Sequence, residues 1–597
     1  SKITSSDGVE LAVSGTPVLT DNFRWDLSAN FATLTKTVDF IYPGIDRVIL
    51  NSWLAWSSMD LQEIVGEEWG ILIGRRSRKD ANGNTVYRSN GTMAYDNNQI
   101  HGNIMPDATG GITSTMQYKN WDLTVGIDWQ DGGLYHSVTD MFSMGAGLHE
   151  YTAGLKEKVL YEKDNPDAPQ ASFFYTEYIA KNGNQRPVIF SFNGGPGSAS
   201  LWLHMGVLGP KVIKVPSNAS DDGSPPYKIV DNKLSPLSEA DLVFIDPIGT
   251  GYSRAIGCHT GEEFWGVNED PKIIAEFIRR WITDNKRWNS PRYILGESYG
   301  GIRGPLLVSE LRSGSITPIE VNGLLMVAPA SDYQYLVFHP GNNSPHYGFL
   351  PSYAATAYYH GKVDTDKSLA DFYIDSKNFS LNEYGPALLK GTRISSEEKN
   401  DIMKKYSYFT GLSMRFVEDF DMRVDASSFR KELLRDEGYS VGRLDSRYKN
   451  TDYMAGGQYS DTDVSSEGFM SAYVTAIHTW FADIGVEMDM LYQSGDSDVY
   501  FSWKHPTQWK GNDFGYVNTV PHIARAQRYN KDFKVYVSCG LYDLATPCFT
   551  AENFMYDNSV DMDRVVFSEF EAGHMMYNHQ PSFDRFLKEV REFILND

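Results

Sequence analysis

The sequence predicts an α/β protein with a mostly parallel sheet, preceded by about 150 residues of antiparallel β structure. Three observations predict it. From about residue 154 short apolar runs alternate with helical patterns, the order expected of a parallel sheet covered on both faces. Before residue 150 apolar and polar residues alternate with the period of half-buried strands. Between an apolar run and a helical one lies Gly296-Glu297-Ser298-Tyr299-Gly300, a Gly-x-Ser-x-Gly run of the kind that exposes a serine on a strand-to-helix turn.

In the first segment, Phe23, Trp25, Leu27, Ala29 and Phe31 share a face by period-2 alternation. Gly111–Gln130 reads as a hairpin turning at Lys119-Asn120, with Trp121, Leu123, Val125, Ile127 and Trp129 on one face. At a strand rise of roughly 3.3 Å those two tryptophans lie about 26 Å apart. That spacing fits either a soluble sheet or the roughly 25 Å apolar band of a membrane barrel.

In the second segment, Pro187–Phe192, Asp241–Ile245, Tyr293–Leu295, Leu324–Val327, Val535–Cys539 and Val565–Phe570 read as buried strands. Pro271–Thr283 reads as an amphipathic helix capped by Asp270, and Ser582–Ile594 as a closing helix. Between about 346 and 510 the alternation is interrupted by helical and polar stretches, an insertion expected to cap the carboxyl ends of the strands.

The chain of 597 residues implies more than one unit, and its net charge of -23 argues against a nucleic-acid surface. Three cysteines, Cys258, Cys539 and Cys548, are too few for a disulfide framework. No apolar run reaches the roughly 18 residues of a membrane helix.

The chemistry centres on Ser298. A serine needs a base beside it, held in turn by an acid. In α/β-hydrolases the chain order is Ser, Asp, His. Asp543 in CGLYDLATP and His574 in EAGHMMY follow in that order, each just after a strand. Two donors must face the developing oxyanion. The N–H groups of Gly195, in the Asn193-Gly194-Gly195-Pro196-Gly197 loop after a strand, and of Tyr299 are the expected pair.

SFNGGPGSASLW (Ser191–Trp202), FIDPIGTGYS (Phe244–Ser253), GESYGG (Gly296–Gly301), GLYDLATP (Gly540–Pro547) and AGHMMY (Ala572–Tyr577) together resemble the serine carboxypeptidase family. The resemblance implies an α/β-hydrolase at residues 154–597 and an acyl-enzyme mechanism with no metal or cofactor. It implies a peptide or acyl substrate whose terminal carboxylate is held by Asn193, Gly194 and Glu297. Esterase, amidase or acyltransferase activity on the same fold is the alternative.

Two departures bear on that. Ser198 stands where the family has a cysteine, so a family disulfide is lost. Val207 stands where the family has a second glutamate, before Leu208-Gly209-Pro210. Without that like-charge neighbour Glu297 is expected to be ionised at mildly acidic pH. Arg303 is expected to be structural, with a replacement positive charge at the site as its alternative role.

In residues 1–150, the succession GVEL (Gly8–Leu11), NFRWDLSANF, IVGEEWGILIGR (Ile64–Arg75), DANGNTVY (Asp80–Tyr87), GNIMPDATGG (Gly102–Gly111) and YKNWDLTVGIDWQDGG (Tyr118–Gly133) resembles late barrel strands of glycan-uptake TonB-dependent receptors. So few strands cannot close a barrel. The segment is read as an orphaned piece with no transport of its own, the chain's one route to membrane contact. The two resemblances together imply a bacterial periplasmic or secreted location, with outer-membrane association as an option. A binding or uptake protein governed by residues 1–150 is the alternative from another class.

Overall fold

The computed structural model describes residues 3–51, 59–78, 95–119, 121–134, 156–162, 165–180, 185–257, 259–454, 456–486, 488–505 and 515–595. The chain divides into two units, Ser1–Gly145 and Ala146–Asp597.

The first unit is antiparallel β structure. Strands β1 (Ile3–Leu19), β2 (Phe23–Phe40), β7 (Pro106–Tyr118) and β8 (Trp121–Gly132) form one sheet in the order β1-β2-β7-β8. Strands β3 (Arg47–Asn51), β4 (Asp60–Ile64), β5 (Ile71–Ser77) and β6 (Tyr95–Asn103) form another in chain order. The expected hairpin is β7–β8, pairing Tyr118 with Trp121. Lys119 turns it in the left-handed region, φ 53°, and Asn120 lies outside the described residues. The alternating face is uncovered, with Trp121 80% and Ile127 63% exposed. The stretch Asp80–Tyr87 also lies outside the described residues.

The second unit is built on a nine-stranded sheet. Its strands are β9 (Lys156–Glu162), β10 (Asn165–Tyr178), β11 (Val188–Phe192), β14 (Asp241–Ile245), β15 (Arg254–Ala255), β16 (Arg292–Glu297), β17 (Gly323–Val327), β20 (Lys534–Gly540) and β21 (Val565–Phe570). Six of them, ordered β14-β11-β16-β17-β20-β21, are parallel. β9, β10 and β15 complete an antiparallel flank. Two small hairpins lie apart, β12 (Lys211–Lys214) with β13 (Lys228–Asp231) and β18 (Tyr439–Val441) with β19 (Lys449–Thr451).

The inner parallel strands bury both faces, and alternate residues feed separate cores, whereas Val565–Phe570, expected to be buried, is a half-exposed edge strand because it has a neighbour on one side only. Ile189, Tyr293, Leu295, Leu325 and Tyr536 pack toward helices Val464–Asp483 and Gln580–Leu595. Val188, Phe190, Ile294, Leu324 and Val535 pack toward helix Asp270–Asp284, helix Gly300–Ser313 and helix Val520–Tyr529. The predicted insertion is helical, running from Ser344–Tyr359 through Leu369–Phe379 and Ser396–Thr410, with an aromatic-rich core of its own.

One further expectation is corrected, and one covalent link is added. Asp270 does not cap its helix but begins it, because its carboxylate is drawn inward to Arg303. Two of the three cysteines, Cys539 and Cys548, form a disulfide, brought together because β20 and the helix Cys548–Asp557 flank one short loop. Cys258 lies outside the described residues.

Candidate active site

Ser298 sits between β16 and the helix Gly300–Ser313. Its backbone is left-handed, φ 60°, a conformation that costs a non-glycine residue about 1–3 kcal/mol and persists only when its surroundings impose it. Three hydrogen bonds impose it here. Ser298 N–H donates to Val327 O (2.9 Å), and Ser298 O accepts from Gly301 (2.8 Å) and Ala330 (3.0 Å). The turn leaves the side chain partly exposed at the carboxyl edge of the sheet.

Asp543 and His574 occupy loops at the same edge, after β20 and β21. His574 Nδ1 lies 2.7 Å from Asp543 Oδ2, and both are buried. Asp543 is held from the other side by Ala545 N–H (2.7 Å) and Thr546 N–H (3.0 Å) on Oδ1. The Thr546 hydroxyl reaches Asp543 Oδ2 (2.8 Å), His574 Nδ1 (3.1 Å) and Ala328 O (2.9 Å). Ala328 directly follows the strand that carries the Ser298 anchor, so the acid loop and the serine turn share one support. Burial alone would lower the His574 pKa. The Asp543 carboxylate and its hydrogen bond, with Glu297, overcome that and raise it. Such a histidine can take a proton and be stabilised as imidazolium.

A segment of the insertion crosses both loops. Arg443 O accepts from Leu544 N–H (3.0 Å), Leu444 O accepts from His574 N–H (2.6 Å), and Ser446 N–H donates to Tyr542 O (2.9 Å). The approach explains Gly573, where a Cβ would stand 2.4 Å from the Cβ of Asp445.

The Asn193–Gly197 loop approaches Ser298 from β11. A Cβ on Gly194 would lie 2.4 Å from Tyr299 N and 2.9 Å from Ser298 Cβ, so only glycine fits. Among the described residues neither Gly195 N–H nor Tyr299 N–H has a backbone acceptor. They are the candidate donors for an oxyanion.

Glu297 is buried beneath this loop. Asn193 Nδ2 donates to its Oε2, and the Tyr577 hydroxyl lies 2.9 and 3.0 Å from its two oxygens. Burial pushes its pKa up to about 7, against the pull of His574, Tyr577 and Asn193. The expectation of an ionised Glu297 at mildly acidic pH is therefore overturned. Desolvation supplies the rise that a second carboxyl was thought necessary to give. Val207 itself is buried in an apolar turn, His204–Leu208.

Arg303 is not directed at substrate. It is fully buried, with Nε on Asp270 Oδ2 (2.5 Å) and Nη1 on Asn193 O (2.5 Å), and packs over the Phe192 ring. It braces the loop from behind, and its role as a replacement positive charge fails on this geometry. Sequence reasoning missed Tyr577, Thr546 and the Arg443–Ser446 crossing. Tyr577 and Thr546 had a signal, since they lie inside the AGHMMY and GLYDLATP motifs, whereas nothing in the sequence marks the crossing.

A parallel sheet with a strained serine turn, a donor loop after β11 and a buried Asp–His pair on the next two strand ends is an α/β-hydrolase. Within that class, residues 155–580 match the serine carboxypeptidase family, and the chain belongs to that family. Serine carboxypeptidase-like 9 of Arabidopsis thaliana is 30% identical over 169 residues, 27% of this chain and 37% of the relative. Serine carboxypeptidase-like 8 of the same plant is 27% identical over 210 residues, 33% of this chain and 46% of the relative. The chain thus spans less than half the length of these curated relatives. Among solved structures, a proline iminopeptidase from Mycobacterium smegmatis aligns with 74% of this chain and 97% of its own at 13% identity and a TM-score of 0.31.

Proposed function

We propose that residues 154–597 are a serine carboxypeptidase that cleaves peptides near a free C-terminus through an acyl-enzyme. The observation that carries this is Glu297, a carboxyl that burial keeps protonated below about pH 7, on the residue before Ser298. Ser298 attacks the scissile carbonyl while His574 takes its proton, and Asp543 stabilises the imidazolium. The N–H groups of Gly195 and Tyr299 receive the oxyanion. His574 then protonates the leaving amine and activates the water that hydrolyses the ester. Protonated Glu297, with Asn193 and Gly194, receives the terminal carboxylate of the substrate. No step requires a metal or cofactor.

The test is a peptide-library digest read by mass spectrometry, with fluorophosphonate labelling and Ser298→Ala as control. Loss of C-terminal residues from acids but not amides is the expected result. Equal cleavage of both, or of simple esters only, would favour the esterase, amidase or acyltransferase reading.

For residues 1–150 we infer a fragment akin to the late strands of a TonB-dependent receptor, outer-membrane associated, on a periplasmic or secreted protein. Its support is the uncovered alternating face of the β1-β2-β7-β8 sheet. No helix among the described residues is long and apolar enough to cross a membrane. Cell fractionation tests the location: release of all the protein with soluble cytosolic contents would reject it.

A further inference from the structure

Tyr577 stands three residues after His574, on the turn Met576–Asn578, and is buried. Its hydroxyl reaches both oxygens of Glu297. Its ring lies against the turn that carries Val207: a Cβ on Gly206 would come within 2.5 Å of Tyr577 Cε2. One side chain thus fills ground beside the position of the missing glutamate and supplies a partner to the carboxyl that remains.

We infer that Tyr577 takes over from the second glutamate as the residue that positions Glu297 and sets the pH limit for recognition of a peptide's free carboxylate. The inference rests on the reading of Glu297 as the contact for that carboxylate, and Tyr577 acts through it as a specificity-determining positioning residue.

The chemistry of the two partners differs. A second carboxyl shares a proton with Glu297, and its negative charge resists ionisation. A phenol whose own pKa is held well above 10 by burial stays neutral throughout the working range. Tyr577 therefore donates to the ionised form of Glu297 and favours it. The other groups facing Glu297 are His574 and Asp543 from their two loops, Asn193 from the donor loop, and Tyr473 from the helix Val464–Asp483. Arg303 lies behind Asn193, paired with Asp270. Asp543 is the one carboxylate among these that opposes ionisation of Glu297, and its effect is the smallest named. Below about pH 7 Glu297 carries a proton it can donate to a substrate carboxylate. Above that it is ionised and repels one.

Tyr577→Phe keeps the ring against Gly206 and removes only the hydroxyl. The experiment measures kcat/KM for one peptide as its acid and as its amide from pH 4 to 9, alongside an infrared titration of the Glu297 carboxyl assigned by its loss in Glu297→Gln. In the parent the acid-over-amide ratio should fall as pH passes about 7. In Tyr577→Phe the fall should move up by about one pH unit, raising the ratio at pH 8 about fivefold, and the infrared midpoint should move with it. A merely structural role would lower both substrates alike and leave ratio and midpoint in place, which overturns the inference. A shifted infrared midpoint in an enzyme that never prefers acids would uphold Tyr577 as the partner that tunes Glu297. It would overturn the carboxylate reading instead.

Discussion

Replacing Glu297 by Gln should flatten the pH dependence of stability. Glu297 has its pKa raised from 4.5 to about 7 in the fold. Below pH 4.5 the group is protonated whether the chain is folded or unfolded, and its burial carries no ionisation penalty. As pH rises from 4.5, the unfolded chain releases the proton while the folded one keeps it. Stability therefore falls, and the loss is complete once pH has passed the folded value. At 1.36 kcal/mol per pH unit the difference amounts to about 3 kcal/mol. Gln cannot ionise, so the variant escapes that loss. It gives up one acceptor for the Tyr577 and Asn193 donors, which costs about 1 kcal/mol. Glu297→Gln should thus be about 1 kcal/mol less stable than the parent at pH 4 and about 2 kcal/mol more stable at pH 8. His574, whose pKa is also raised, contributes a loss in the same direction that the variant reduces but does not abolish. Urea unfolding of both proteins at pH 4, 6 and 8 reads the crossing directly. Two parallel curves would refute the reasoning, because they would mean that Glu297 is already ionised, or still neutral, across the range.

Four further outcomes are expected. Ser298→Ala and His574→Ala should each abolish nearly all turnover and the double variant should be no worse, since such residues act as a unit; additive losses in steady-state kinetics would reject the assignment. Arg303→Met should cost about 3–5 kcal/mol in denaturant unfolding by leaving the buried Asp270 carboxylate without its partner, and adding Asp270→Leu should recover part of it. Cys539→Ser with Cys548→Ser should lower stability by about 2–3 kcal/mol through the loosened short loop, with a fall in kcat because Asp543 lies between the two cysteines. Deleting residues 1–150 should leave a soluble hydrolase that still labels with a fluorophosphonate, because the two units have separate apolar patterns; an insoluble or inactive product would reject this.

What was legible in the sequence is what depends on near neighbours. Asp241–Ile245 and Val565–Phe570 were bounded correctly, and the other parallel strands to within two residues, because an apolar run between turn residues is written locally. Ser298, Asp543 and His574 fall where strands end, and the Asp543–His574 pair is made as expected. The failures have one physical cause. Asp270 looked like a cap because a cap is judged from the next three residues, whereas its real partner is 33 residues away. The Glu297 environment depends on Tyr577, 280 residues further on, and burial cannot be read from a carboxyl's own neighbours. Nothing in Arg443-Leu444-Asp445-Ser446 announces that its backbone is to be shared with the loops bearing Asp543 and His574.

That crossing strip bears on how the hydrolase and its insertion can be inherited or engineered. In many proteins a loop inserted between two strands can be exchanged as a cassette, because its junctions are its only obligations. Here the main-chain oxygens of Arg443 and Leu444 serve the loops bearing Asp543 and His574. A graft that replaced the whole insertion to alter selectivity would also remove two props from the loops that hold the Asp543–His574 pair. Shuffling should succeed only outside the strip, with Gly442–Arg447 carried over as part of the host.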